Sequence, residues 1–116
     1  SIYLAQAIKS KKIIVKGSFK RIRDFIYIDD VVDIWIKSIK KNINNETINL
    51  CTGKATSVKN LLILIKKLVP GSKIIKYRST RGDQQNSVGD TKKLVKIFEH
   101  KFIPIEVGLN QFLKFI

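Results

Sequence analysis

Residues 47–77 read TINLCTGKATSVKNLLILIKKLVPGSKIIKY, and this stretch decides the fold class. Thr47-Ile48-Asn49-Leu50 is a short β-prone run that ends at Cys51-Thr52-Gly53. Thr56 or Ser57 can then cap a helix, because a hydroxyl oxygen there accepts from an otherwise orphaned backbone N–H of the first turn. Val58, Leu61, Leu62, Ile65, Leu68 and Val69 fall on one face at helical spacing, and Pro70-Gly71 stops the helix. Lys73 to Tyr77 returns as a β-branched strand. Strand, helix and strand over this length predict a βαβ unit, and hence an α/β fold.

The flanks repeat the alternation. Ile2 to Lys9 has the pattern of the tail of a helix, and Ile13-Ile14-Val15, closed by Gly17, suits a buried strand. Phe25 to Ile28 is expected as a further strand. Asp29 and Asp30 stand where carboxylates favour a helix start, and Ile28, Val32, Trp35, Ile36 and Ile39 form an apolar stripe on a helix running to about Lys41. Asn42 to Glu46 is polar turn material. On the other side, Arg78 to Gly89 makes a long polar loop with two arginines, Asp83 and two glycines. Loops of that length tend to carry function, so it is the foremost site candidate. Asp90 is expected to cap a helix through Phe98, and Pro104 to Ile116 to form a last helix with Ile105, Leu109, Phe112, Leu113 and Ile116 on one face.

Composition bounds the rest. With 116 residues, 44% of them hydrophobic, residues 1–116 are enough for one compact unit. The chain contains no methionine and opens on what reads as a helix in progress, which predicts a portion of a longer protein. No apolar run approaches the roughly 20 residues that span a bilayer, so a cytoplasmic location is expected. Cys51 and His100 are the only cysteine and histidine, which leaves no framework for an internal disulfide or a structural zinc site. The 23 Lys and Arg against 9 Asp and Glu give +14, and a basic balance of that size raises nucleic-acid binding as an alternative. The excess is nearly all lysine, spread over every segment beside abundant isoleucine. That pattern fits a codon bias better than a concentrated phosphate-tracking surface.

Two short strings fail on spacing or context. Thr52-Gly53-Lys54 resembles the end of a phosphate-binding loop, but Ile48 stands where that motif needs its first glycine. Arg81-Gly82-Asp83 matches a cell-adhesion tripeptide that carries meaning only on an extracellular loop.

A more specific pattern begins at Arg23. Arg23 to Val32, RDFIYIDDVV, resembles the segment opening the substrate-lobe helix in the NAD-dependent nucleotide-sugar epimerases and dehydratases, extended members of the short-chain dehydrogenase/reductase family. In the same order, Ile48 to Gly53 with Thr56-Ser57-Val58 is similar to that family's strand end and helix start. Arg81-Gly82-Asp83 with Ser87, Asp90 and Lys93 resembles its Arg-x-Gly-Asp loop and following helix, and Pro104, Glu106, Gly108 and Leu109 resemble its terminal helix. The likeness extends from about Ile13 onward, and UDP-glucose 4-epimerase is the type it suggests.

The resemblance implies a substrate lobe, in an α/β fold with a βαβ unit and two C-terminal helices, that closes a nucleotide sugar over NAD bound in a Rossmann half outside this chain. It implies Val15, Lys16, Arg23, Arg81 and Asp83 as substrate contacts. Arg23 and an arginine of the loop would hold the diphosphate through forked donors, with Arg78 competing with Arg81 for that role and Arg81 preferred. Asp83 suits a ribose hydroxyl. A structural pair with Asp24 or Asp29 is the bland alternative for Arg23, while Asp29, Asp30 and Asp33 read as helix-start and surface charges.

Lys16 stands where the family usually has an aromatic, Cys51 where it has glycine, and Glu99-His100 where it has Gly-Trp. No Gly-x-Gly-x-x-Gly occurs, and Tyr3, Tyr27 and Tyr77 are followed four residues on by Ala7, Val31 and Arg81, so the Tyr-x-x-x-Lys pair is not in this chain. No catalytic, cofactor-binding or metal-binding residue is therefore expected here. The expected partners are a nucleotide sugar, the Rossmann half and, in the parent enzyme, a second subunit of a homodimer, with no membrane or nucleic acid. The chain alone is expected to be inactive. A non-catalytic relative that only binds sugar nucleotides is a further alternative.

Overall fold

A computed structural model describes residues 2–79 and 82–115. In chain order the elements are α1 (Ile2–Ser10), β1 (Lys12–Lys16), β2 (Ile22–Asp24), α2 (Ile28–Lys40), β3 (Ala55–Ser57), α3 (Val58–Leu68), β4 (Lys73–Tyr77), β5 (Asn86–Ser87), α4 (Lys92–Ile97) and α5 (Ile105–Leu113).

Helix α1 buries Leu4 and Ala7, and Lys11, at φ +54°, reverses the chain directly into β1. In β1 the alternation turns Ile13 and Val15 fully inward while Lys12, Ile14 and Lys16 face out. Helix α3 forms as its sequence predicts: Ser57 Oγ accepts from the Asn60 N–H at 3.1 Å, and Val58, Leu61, Leu62 and Ile65 are buried. These residues, with Leu4, Ala7, Ile13, Val15, Val69 and Leu109 of α5, form the main core. Ile34 of α2, Leu94 of α4 and Phe98 form a smaller one.

The βαβ unit exists, but its first strand differs from the expectation. β4 pairs in parallel with β1, in register from Lys12↔Lys73 to Lys16↔Tyr77, so α3 belongs to a crossover of more than fifty residues. Thr47–Leu50 forms no strand. A strand is made by its ladder, and this segment has none among the described residues; Ile48 and Leu50 pack instead against the smaller core. The strand expected at Phe25–Ile28 lies earlier, at β2. Residues 22–24 are paired by β3 antiparallel on one side and β5 parallel on the other, whereas Phe25–Tyr27 run unpaired into α2.

Helix α2 departs from its sequence pattern. Its buried residues are Asp30 and Ile34, while the stripe lies outward, with Ile28, Trp35 and Ile39 exposed to 58%, 60% and 80%. The side facing α4 is chosen by two bonds to Asp30: His100 Nε2 lies 2.8 Å from Oδ1, and the Ile103 N–H donates to Oδ2 at 3.0 Å. Asp30 is thus a buried linchpin of the smaller core and no surface charge. Helices α4 and α5 lie within the expected stretches but are shorter: Thr91, not Asp90, is the cap position of α4, with Asp90 Oδ1 accepting from the Lys92 N–H at 2.9 Å, and α5 ends at Leu113, Ile116 lying outside the described residues.

Candidate functional site

The carboxyl ends of parallel strands in an α/β sheet open toward solvent where chain connections diverge, which is where such folds hold ligands. Here β1 ends at Lys16 and β4 at Tyr77, tied by the Gly17 N–H donating to the Tyr77 carbonyl at 3.3 Å. Past these ends lies an open cleft of about 660 Å³ lined by Gly17, Ser18, Lys76, Tyr77, Arg78 and Ser79, with Gln85 across from them. Lys76 and Arg78 supply positive charge, and Lys76 Nζ also sits 5.6 Å from the centroid of the Phe19 ring. Tyr77 exposes more than half of its surface and offers an aromatic face.

One wall is fixed by arginines of the β1–β2 connection and β2. Arg21 donates through Nη1 to both Asp83 oxygens, at 2.9 and 2.8 Å, through Nε to the Ser18 carbonyl at 2.9 Å, and through Nη2 to the Lys16 carbonyl. Arg23 donates to the carbonyls of Ile22 at 2.7 Å, Gln84 at 2.7 Å and Gln85 at 3.4 Å, and its Nη2 lies 3.8 Å from Asp83 Oδ1. Gly17, at φ +85°, has no Cβ because one there would overlap Asp83 Oδ2. Residues 83–85 are thereby tied to the β1–β2 connection and to β2.

The other side of β2 is fixed by Asp24. Its carboxylate accepts from the Thr52 N–H at 2.9 Å, Thr52 Oγ1 at 2.6 Å, the Gly53 N–H at 2.9 Å and the Gly89 N–H at 3.4 Å. Beside it Cys51 is buried, and burial pushes its thiol up, with the Asp24 charge adding to the effect. Farther away, on α2, Lys37 bonded to Asp33 at 2.7 Å holds that carboxyl below the usual range, His100 contributing less.

Arg23 and Asp83 come together as neighbours. The bland partners considered for Arg23, Asp24 and Asp29, are not the ones it uses: Asp24 holds the segment around Thr52, and Asp83 stands by Arg23. Lys16 is exposed at the cleft's rim and its carbonyl is taken by Arg21, whereas the Val15 side chain is fully buried in the main core. Arg81 lies outside the described residues; its competitor Arg78 lines the cleft. Sequence reasoning missed Arg21, Lys76 and Asp24. The spacing of Arg21 and Arg23, two residues apart at a strand, was the available signal, since such residues project to one side.

The sequence model described as the NAD dependent epimerase/dehydratase family matches residues 1–51. GDP-6-deoxy-D-talose 4-dehydrogenase of Aggregatibacter actinomycetemcomitans is 31% identical over 112 residues, covering 92% of this chain and 38% of that protein. The crystal structure of UDP-glucose 4-epimerase with UDP-glucose from Thermotoga maritima superposes with a TM-score of 0.80 at 26% identity, over 98% of this chain and 38% of that one. An NAD-dependent NDP-hexosamine 5,6-dehydratase of tunicamycin biosynthesis shares the fold at TM-score 0.83 and 22% identity, over 97% of this chain and 37% of its own. The chain thus spans less than two fifths of the length of these relatives.

Proposed function

We propose, starting from the NAD-dependent nucleotide-sugar epimerase/dehydratase family to which this chain belongs, that residues 1–116 form a lobe that binds a nucleoside-diphosphate sugar. The observation that carries the proposal is the cleft beyond β1 and β4, which Lys76 and Arg78 line together with Gln85, next to the arginine-held Asp83 and Gln84. A diphosphate needs cationic donors at a site open enough to admit it, and both conditions are met there.

In this reading Arg78 or Arg81 holds the phosphoryl oxygens, and Arg23, whose Nη1 and Nη2 donate to the carbonyls of Ile22, Gln84 and Gln85, adds its charge to theirs. Asp83, an acceptor only, lies where it can take a ribose hydroxyl on its unshared lone pairs. The base lies along the β1 end, where the backbone of Val15 and Lys16, rather than the Val15 side chain, meets it. The NAD site and the Tyr/Lys pair belong to residues outside this chain, since the sequence has neither the glycine fingerprint nor a Tyr-x-x-x-Lys. NAD, when bound there, would take a hydride from the sugar and return it. This lobe binds and orients the sugar nucleotide, and the outcome, epimerisation, dehydration or reduction, is set elsewhere.

Calorimetric titration of the chain with UDP, GDP, CDP and NAD tests the reading. A nucleoside diphosphate should bind and shift the amide signals of Gly17, Ser18 and Lys76–Ser79, while NAD should not bind. Tight, steeply salt-dependent binding of random duplex with no nucleotide affinity would establish the nucleic-acid alternative instead.

A further inference from the structure

Arg21 is the one arginine among the described residues whose terminal nitrogens and Nε are all committed to protein acceptors that join two distant segments. Nε holds the carbonyl of Ser18 in the β1–β2 connection and Nη2 that of Lys16 at the end of β1, and Nη1 holds the carboxylate of Asp83, sixty-two positions along the chain. The guanidinium and the carboxylate are 11% and 13% exposed, so the pair is shielded, and Gly17 packs directly against it. Gly17 and Ser18 are also walls of the cleft. The bland function of such a pair is to staple a loop. Its position adds a second consequence, because the pair lies immediately beneath the surface a ligand would touch.

We propose that Arg21 is a positioning residue that neutralises Asp83 beneath the cleft and sets the loop height, so that the cleft presents net positive charge to an anionic ligand. The proposal rests on the nucleotide-binding reading for its ligand. Asp83 lies directly against Gly17 of the cleft wall, and without Arg21 its charge would face the same phosphoryl groups that Lys76 and Arg78 attract. Arg23, 3.8 Å away and occupied by the carbonyls of residues 84 and 85, cannot take over the fork. Lysine, a point charge with no Nε–H, keeps the neutralisation but not the simultaneous grip on both carbonyls and the carboxylate. Charge and geometry are therefore separable by substitution.

The test compares Arg21→Gln, Arg21→Lys and the double variant Arg21→Gln/Asp83→Asn in the 116-residue chain, with UDP and GDP as probes and amide exchange of residues 82–87 as a second readout. Arg21→Gln should weaken diphosphate binding by about tenfold or more and speed loop exchange. The double variant should recover part of the affinity, because the uncompensated carboxylate is gone while the amide Oδ1 still offers the ribose hydroxyl an acceptor, yet keep the fast exchange. Arg21→Lys should retain most affinity with intermediate exchange. Unchanged affinity in Arg21→Gln, or a double variant as weak as the single one, overturns the proposal, as loop stapling alone would give the latter. If the wild-type chain binds neither probe, the nucleotide-binding reading fails first. The latch is then judged on exchange alone, and equal protection of residues 82–87 in wild type and Arg21→Gln refutes it.

Discussion

At the residue scale, Arg23 has two roles that a substitution should expose together. Arg23→Ala removes donors to the carbonyls of Gln84 and Gln85 as well as a cation 3.8 Å from Asp83. Losing one side of a desolvated charged contact typically costs about 2–5 kcal/mol, so nucleoside-diphosphate affinity by calorimetry should fall by well over tenfold. Retained affinity with lowered thermal stability would show it to be a loop staple alone. Asp33 offers a pH test. Its folded pKa is depressed, chiefly by the Lys37 hydrogen bond, so its stabilising contribution is present above the ordinary carboxylate range and is lost as pH falls through the depressed value. Asp33→Asn should therefore remove part of the acid sensitivity seen in urea melts below about pH 4, and an unchanged acid limb would refute it. Arg23 and Asp83 were singled out through the resemblance of RDFIYIDDVV and Arg81-Gly82-Asp83 to family segments, and what the structure adds is that the two stand side by side. Arg21 and Asp24 were not singled out, since their partners lie 62 and 28 positions away and no local pattern brings them together.

At the scale of elements, helix existence was plain and strand pairing was not. The α3 stripe and the Ser57 cap are local features, and the structure reproduces both. β1 and β4 were each visible as β-branched runs, but which strand pairs with which is a long-range property, and the nearer run at Thr47–Leu50 was the natural and incorrect choice. What holds that segment in place is Asp24 gripping Thr52 and Gly53. Asp24→Ala leaves the Thr52, Gly53 and Gly89 amides without their acceptor, and hydrogen bonds to a charged acceptor are worth about 1.5–3 kcal/mol each before water replaces some. Urea unfolding should show a loss on the order of 3 kcal/mol, with Cys51, otherwise a buried and protonated thiol, becoming reactive to a thiol reagent. Wild-type stability and thiol protection in that variant would remove Asp24 from this role. The outward turn of the α2 stripe was hidden for another reason: amphipathic spacing says that a face is apolar, never which neighbour covers it.

On the whole-molecule scale the chain is thin for its length. Its radius of gyration is 16.1 Å and its extents are 47 × 33 × 17 Å, against roughly 13 Å for a self-sufficient domain of this size. No helix of the described residues is long and apolar enough to cross a membrane, so the bare apolar surface is not explained by a span. Ile28, Val32, Trp35, Ile36 and Ile39 all stand at least 43% exposed on one face of α2, a patch of the kind that marks an interface. A net charge of +14 opposes self-association through that face. The two effects respond oppositely to salt: the Debye length falls from about 30 Å at 0.01 M to about 10 Å at 0.1 M, which screens the repulsion and leaves apolar attraction intact. Sedimentation velocity should therefore show predominantly monomer at low ionic strength and a growing dimer or larger species as salt is raised at constant protein concentration. Trp35→Glu with Ile39→Glu should abolish the salt-induced species while leaving the thermal midpoint nearly unchanged, because neither side chain is part of a core. A wild-type chain that stays monomeric at every salt concentration would show that the α2 face does not drive association, and an association that persists in the double variant would move the sticky surface elsewhere.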